Sequence, residues 1–181
     1  MRIKRLHLDP QWKSRLEAIG YGYHSDQEQP YWIDDYYYEI NSAQADRIYE
    51  ASSELWQMCL SAVDHVVEQK LYAQFHIPEA MIPHIEASWA HDVPSIYGRF
   101  DFAYDASKDS LKMLEFNADT PTSLFESAIV QWNWKNHYFS EDTDQYNSIH
   151  EQLISSWKDL KPYFKGDVLY FSCAKESLED L

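Results

Sequence analysis

Glycine is scarce in this chain. Four occur among 181 residues, Gly20, Gly22, Gly98 and Gly166. A Walker A loop and a Gly-x-Gly-x-x-Gly turn both need glycines at spacings the chain does not contain, so any nucleotide site must use another device. Basic residues are also few, 15 against 30 acidic, for a net charge of −15. A surface this acidic opposes phosphate backbones and anionic membranes, which excludes nucleic acid and membrane as partners and favours a cationic or small-molecule one. Only Cys59 and Cys173 are present, one in a helical and one in a strand context, and they read as buried free thiols of a reducing compartment. No apolar run is long enough to span a bilayer. The opening Met1-Arg-Ile-Lys-Arg-Leu-His7 lacks the apolar core of a signal peptide. A cytoplasmic location is expected.

Apolar and aromatic residues are plentiful. At 45% hydrophobic, the chain can bury a core as one domain or one and a half. There are 14 tyrosines and 7 tryptophans, and residues 31–38 gather four of the tyrosines and one tryptophan around two aspartates rather than arginine or lysine. That predicts core and edge packing, not base stacking. Asp9 and Pro10 ahead of an apolar-periodic run, closed by Gly20, predict a short first helix. Residues 20–39 read as loop with one short extended piece. From Asn41 to Leu71, Ile48, Leu55, Cys59, Ala62, Val66 and Val67 recur at helical spacing, and Pro78, Pro83 and Pro94 frame a further short helix. Ser123 to Glu126 has the pattern of a capping box, and a later helix is expected from about Asp144 to Tyr163.

Residues 166–173 read as a buried strand, and 175–181 as the start of another helix. Together they open a βαβ crossover that stops short of its partner strand. The division expected is therefore 1–165, with 166–181 the beginning of a truncated βα unit. The fold class is mixed α/β. A truncated sheet would expose an edge, which predicts self-association.

Between these helices lies a hairpin. Residues 95–104 and 111–117 alternate apolar and polar positions around a turn-rich stretch. Pairing Asp105 with Leu111 across 106–110 sets Asp101 opposite Glu115 and Arg99 opposite Asn117, all four on one face. Phe100, Phe102, Leu114 and Phe116 then form a core face. Opposed carboxylates roughly 5 Å apart repel, so a positive group is expected between them. Two carboxylates and an amide are all oxygen donors, which suits Mg²⁺, and the fork of Arg99 suits a phosphoryl group. The alternative is a solvent-facing polar face in which Arg99 forms an ordinary cross-strand ion pair.

Arg99-Phe100-Asp101, followed by Leu114-Glu-Phe-Asn-Ala-Asp-Thr-Pro-Thr-Ser123, resembles the signature of the glutathionylspermidine synthase family. Pro30-Tyr-Trp32, Tyr36-Tyr-Tyr-Glu39 and the helix through Gln131-Trp132 resemble it too, so the likeness extends over essentially the whole chain. What the resemblance implies is the N-terminal half of an ATP-grasp ligase domain, with the hairpin in its central sheet and helices flanking it. It implies an ATP- and Mg²⁺-dependent ligase that phosphorylates the carboxylate of a glutathione-like peptide and transfers the acyl group to an amine. Asp101, Glu115 and Asn117 would be Mg²⁺ ligands, and Arg99 would contact the transferred phosphoryl group of ATP. Thr120, Thr122 and Ser123 would help hold the peptide, although Ser123 also reads as a helix cap and Pro121 as a turn residue. The chain departs from the family in ending before the half that supplies the ATP-gripping lysines, so it is not expected to be a competent ligase alone. It also lacks an amidase domain, which places it with synthetase-only members.

Other groupings carry less. His84, Glu86 and His91 match no strong zinc spacing. Trp132 and Trp134 read as helix packing. Two functions stay open: a C–N ligase, and a non-catalytic peptide- or metal-binding domain that keeps the fold.

Overall fold

The computed structural model describes residues 1–27, 29–119 and 121–170. Its backbone contacts divide the chain into two units, residues 1–40 with 118–181, and residues 41–117. The mixed α/β class is as expected.

In the first unit, Asp9 heads helix α1 (Trp12–Ala18) and takes the Gln11 amide on its carboxylate at 2.9 Å. That bond, foremost, holds its carboxyl below the usual range. Gly20, at φ 89°, ends the helix while the Tyr21 amide bonds back to the Leu16 carbonyl, a left-handed closure that glycine adopts at little cost. The apolar face of α1 places Trp12 and Leu16 in a core with Tyr21 and Val130, against which Ile19, Tyr23 and Trp32 pack. Leu16 and Val130 are fully buried, each stabilising the unit by about 2 kcal/mol.

Residues 20–39 hold more strand than expected: β2 (Ser25–Asp26), β3 (Gln29–Pro30) and β4 (Tyr36–Glu39). Strand β4 pairs antiparallel with β1 (Arg2–Arg5), Arg2 opposite Glu39 and Arg5 opposite Tyr36. A basic tetrapeptide with one apolar residue has no strand signal of its own, and the tyrosine strand beside it supplies the pairing. Asp34 ties this region together. Its carboxylate, 2% exposed, receives Arg15 at 2.9 Å, Trp32 Nε1 at 3.1 Å and Tyr138 Oη at 2.6 Å. Its carbonyl receives Trp134 Nε1 at 2.8 Å. A buried carboxylate survives only when so fully bonded.

After a π-turn (Glu126–Val130) come α4 (Gln131–Tyr138) and α5 (Ile149–Leu160). Trp134 is buried against Tyr37 and Phe139, as packing rather than as a cofactor box. Helix α5 starts at Ile149 rather than near Asp144. Asp144 and Asn147 side chains take the amides of Gln145 and Ile149, the local bonding by which such residues compete with helix. The strand expected over 166–173 is absent from its described portion, where Val168, Leu169 and Tyr170 are exposed. An extended segment needs a neighbour for its amides, and none of the described strands pairs with it. Residues 171–173, with Cys173, and the helix start at 175–181 lie outside the described residues.

In the second unit, Asn41 and Gln44 form a reciprocal capping box at the start of α2 (Ser42–Glu68). Its Trp56 meets the Phe116 ring edge-on at 5.8 Å. Cys59 on this helix is a free thiol and half-buried rather than buried. Short 3₁₀ turns lead into α3 (Ile82–Ala90), whose Trp89 donates to Asp64 of α2 and whose Glu86 accepts from the buried Tyr72. No helix among the described residues is long and apolar enough to cross a membrane.

The hairpin is β5 (Arg99–Asp105) on β6 (Ser110–Asn117), its own two-stranded sheet among the described residues. At one end the register is the expected one, with Arg99 opposite Asn117, Phe100 opposite Phe116 and Asp101 opposite Glu115. A bulge then intervenes, Phe102 faces Met113, and Asp105 faces Ser110 instead of Leu111. The loop is therefore 106–109. Asp105 closes it, accepting the Ser107 amide at 3.0 Å and hydroxyl at 2.6 Å, while Asp109 takes a left-handed φ of 47°. Leu114 is the extra residue of the bulge and is 68% exposed, which removes it from the core face. Phe100 stacks on Phe116 at 4.2 Å and on Phe102 at 5.9 Å, and these three rings form that face.

Candidate functional site

The non-bulged end of the hairpin gathers four polar side chains. Alternation along each strand puts Arg99, Asp101, Glu115 and Asn117 on the face opposite the phenylalanines. Gly98 precedes them, and a Cβ there would stand 3.0 Å from the Phe116 ring. The aromatic layer thus presses directly beneath the polar one.

The opposed acids do have a positive group between them, and it is Arg99. Its Nε donates to Asp101 Oδ1 at 2.9 Å, and its Nη2 lies 3.4 Å from Asp101 Oδ2 and 4.0 Å from Glu115 Oε1. Asn117 Nδ2 donates to Glu115 Oε1 at 2.6 Å. The Arg99 hydrogen bond is the main cause holding the Asp101 carboxyl below its ordinary range, and the same bond raises the guanidinium further. The Asp101 carboxylate therefore stands as a ready anionic donor.

This donor set fits Mg²⁺. A hard cation takes carboxylate and amide oxygens and keeps some water, and the guanidinium marks where the pair of acids needs positive charge. Among the described residues no cluster of three or more His, Cys, Asp and Glu is placed to hold a metal, so the two hairpin acids would need Asn117, substrate oxygens or water to complete a cation's shell. His91 bonds the Ala87 carbonyl, and Glu86 is engaged by Tyr72 and Lys70.

The remaining expected residues fall elsewhere. Thr120 lies outside the described residues. Thr122 and Ser123 are half-buried and belong to the unit formed by residues 1–40 and 118–181. Ser123 has φ 71°, left-handed for a non-glycine residue. The helix start expected there is present, and the Glu126 carboxylate of the expected capping box accepts from the Tyr21 hydroxyl at 3.2 Å. That contact spans more than a hundred residues of sequence and has no local signal. The π-turn it touches was equally hidden, since its residues read as ordinary helix.

Comparison with known proteins is consistent across this chain. The family profile described as glutathionylspermidine synthase preATP-grasp matches residues 3–181. A Haemophilus influenzae protein named putative acid–amine ligase is 40% identical over 164 residues, covering 88% of this chain and 41% of that protein. The trypanothione synthetase of Crithidia fasciculata is 40% identical over 60 residues, covering 33% of this chain and 9% of that enzyme. The chain thus spans less than half the length of either relative.

Proposed function

Because this chain belongs to the glutathionylspermidine synthase preATP-grasp family, we propose that it contributes to a cytoplasmic amide-forming ligase. The ligase would use ATP and Mg²⁺ to join the carboxylate of a glutathione-like peptide to an amine. The register of β5 on β6 carries this reading, since it sets two carboxylates, an amide and an arginine on one face. In the reaction, a peptide carboxylate oxygen attacks the γ-phosphorus of ATP and the bond to ADP breaks, leaving an acyl phosphate. The amine nitrogen then attacks the acyl carbon, inorganic phosphate leaves, and the nitrogen loses a proton.

The chain's own residues have distinct tasks in that scheme. Asp101 and Glu115 offer anionic oxygens to the cation, and Asn117 orients Glu115 through its 2.6 Å bond. Arg99, whose fork now spans Asp101, exchanges that carboxylate for phosphoryl oxygens, a bidentate geometry arginine suits. Mg²⁺ would neutralise the charge of the acids and of the phosphates together. Thr122 and Ser123, with Thr120, hold the peptide. A cationic amine suits a chain of net charge −15.

A second reading is a non-catalytic binding domain. The observation that favours it is that Arg99, Asp101, Glu115 and Asn117 already satisfy one another as they stand. Turnover separates the two. Mg²⁺-dependent ATP cleavage with glutathione and a panel of amines should fall roughly 100-fold or more in Asp101→Ala and Glu115→Ala of the protein made from its complete reading frame. Absence of turnover with every amine in a folded wild type would favour the binding domain.

A further inference from the structure

Ser123 holds its left-handed backbone at the mouth of a π-turn, and that turn is fastened on three sides. The Tyr21 hydroxyl donates to the Glu126 carboxylate at 3.2 Å. Asn147 Nδ2 donates to the Ser127 carbonyl at 3.1 Å, and Asn133 Nδ2 to the Ile129 carbonyl at 2.9 Å. A π-turn carries one residue more than the α-helix around it and leaves carbonyls poorly bonded within the helix, which is why such turns persist mostly where they are used. Here two of those carbonyls are met by side-chain amides, one of them from a loop twenty residues away. From below, Ala128 and Val130 anchor the turn in the core, and Phe125 lies against the Tyr21 ring at 6.0 Å.

Tyr21 is itself well placed for this task. It is 5% exposed, and burial followed by the neighbouring Glu126 charge pushes its hydroxyl proton well up, so it remains a donor at any physiological pH. The Ser127 amide bonds the Ser123 carbonyl at 3.2 Å, which links the turn directly to the left-handed residue. A strained backbone residue persists only when its surroundings over-determine it, and this set of bonds does so.

We propose that Tyr21 and Asn147 are positioning residues for the peptide substrate: through Glu126 and the Ser127 carbonyl they hold the π-turn that sets the backbone of Thr122 and Ser123. This rests on the assignment of that segment to the peptide. The alternative is a turn that merely accommodates one extra residue in the helix.

The test is a glutathione titration of the isotopically labelled protein, following the Thr122 and Ser123 amide resonances, in wild type, Tyr21→Phe, Asn147→Ala and Asn147→Gln. Thermal midpoints are measured alongside. Tyr21→Phe and Asn147→Ala should weaken glutathione binding at least five-fold, with Asn147→Gln recovering part of the loss. Mg²⁺ binding should stay unchanged in all three. Lowered thermal midpoints with unchanged glutathione affinity would reduce the turn to a purely structural feature and overturn the proposal. If wild-type Thr122 and Ser123 do not respond to glutathione at all, the proposal falls together with the peptide segment, while the metal face is judged separately by its own metal dependence.

Discussion

Arg99 stands two residues before Asp101 on one strand and one pair along from Glu115 on the next, so one guanidinium serves two carboxylates. Its hydrogen bond is the main reason the Asp101 carboxyl is lowered. A carboxyl lowered on folding contributes stability that is fully present above its unfolded value, about pH 4, and that is lost as pH falls through its folded value. The pair is more than a third exposed on the Asp101 side, so solvent screening keeps the contribution small. Arg99→Ala should raise the Asp101 carboxyl toward its ordinary range in a carbon-13 carboxyl titration. The stability gap between variant and wild type should be open at pH 6 and close in acid. An Asp101 titration unmoved by the substitution would contradict the assignment. These four residues were legible in the sequence because strand alternation alone brings them to one face. Asp34 and Tyr21 were not, since their partners Arg15, Tyr138 and Glu126 are set by tertiary packing.

At the scale of the element, the hairpin has two ends that demand different registers. The loop at 106–109 is closed by Asp105 acting on Ser107 and Lys108, in keeping with a four-residue loop built on a tight turn. The other end is held by the phenylalanine ladder and the charged face. The bulge at Leu114 reconciles them, and bulges commonly sit beside functional sites for this reason. A register extrapolated unbroken from the polar face to the turn therefore errs by one residue at the turn and not at the face. The aromatic layer offers a direct test. Phe116 is held between the Phe100 stack and the Trp56 ring, which leaves it little room to give way to a new Cβ 3.0 Å away. Gly98→Ala should cost about 1–2 kcal/mol by urea unfolding. Gly22→Ala, which would meet nothing within 4 Å, should stay within about 0.5 kcal/mol of wild type. Equal midpoints for both variants would show that the ring is not clamped.

For the molecule as a whole, composition foretold an acidic globular protein, the helix and strand patterns its mixed α/β class, and the helices with strong 3.6-residue periodicity were found where expected. Short strands without a pattern, such as β1, were not, because a neighbour rather than their own sequence makes them strands. The segment at 166–170 shows the converse, a strong apolar pattern that stays exposed without one. Net charge also shapes how the metal face must be tested. A chain of −15 gathers divalent cations loosely over its whole surface, and removing one carboxylate changes that background little. Only a specific site loses affinity sharply. The decisive measurement is the electron paramagnetic resonance signal of free Mn²⁺, a stand-in for Mg²⁺ at oxygen sites, titrated against wild type, Asp101→Ala and Glu115→Ala. One Mn²⁺ bound by wild type, with at least ten-fold weaker binding in each variant, is the result expected of a metal face. Equal Mn²⁺ uptake by all three proteins would contradict it.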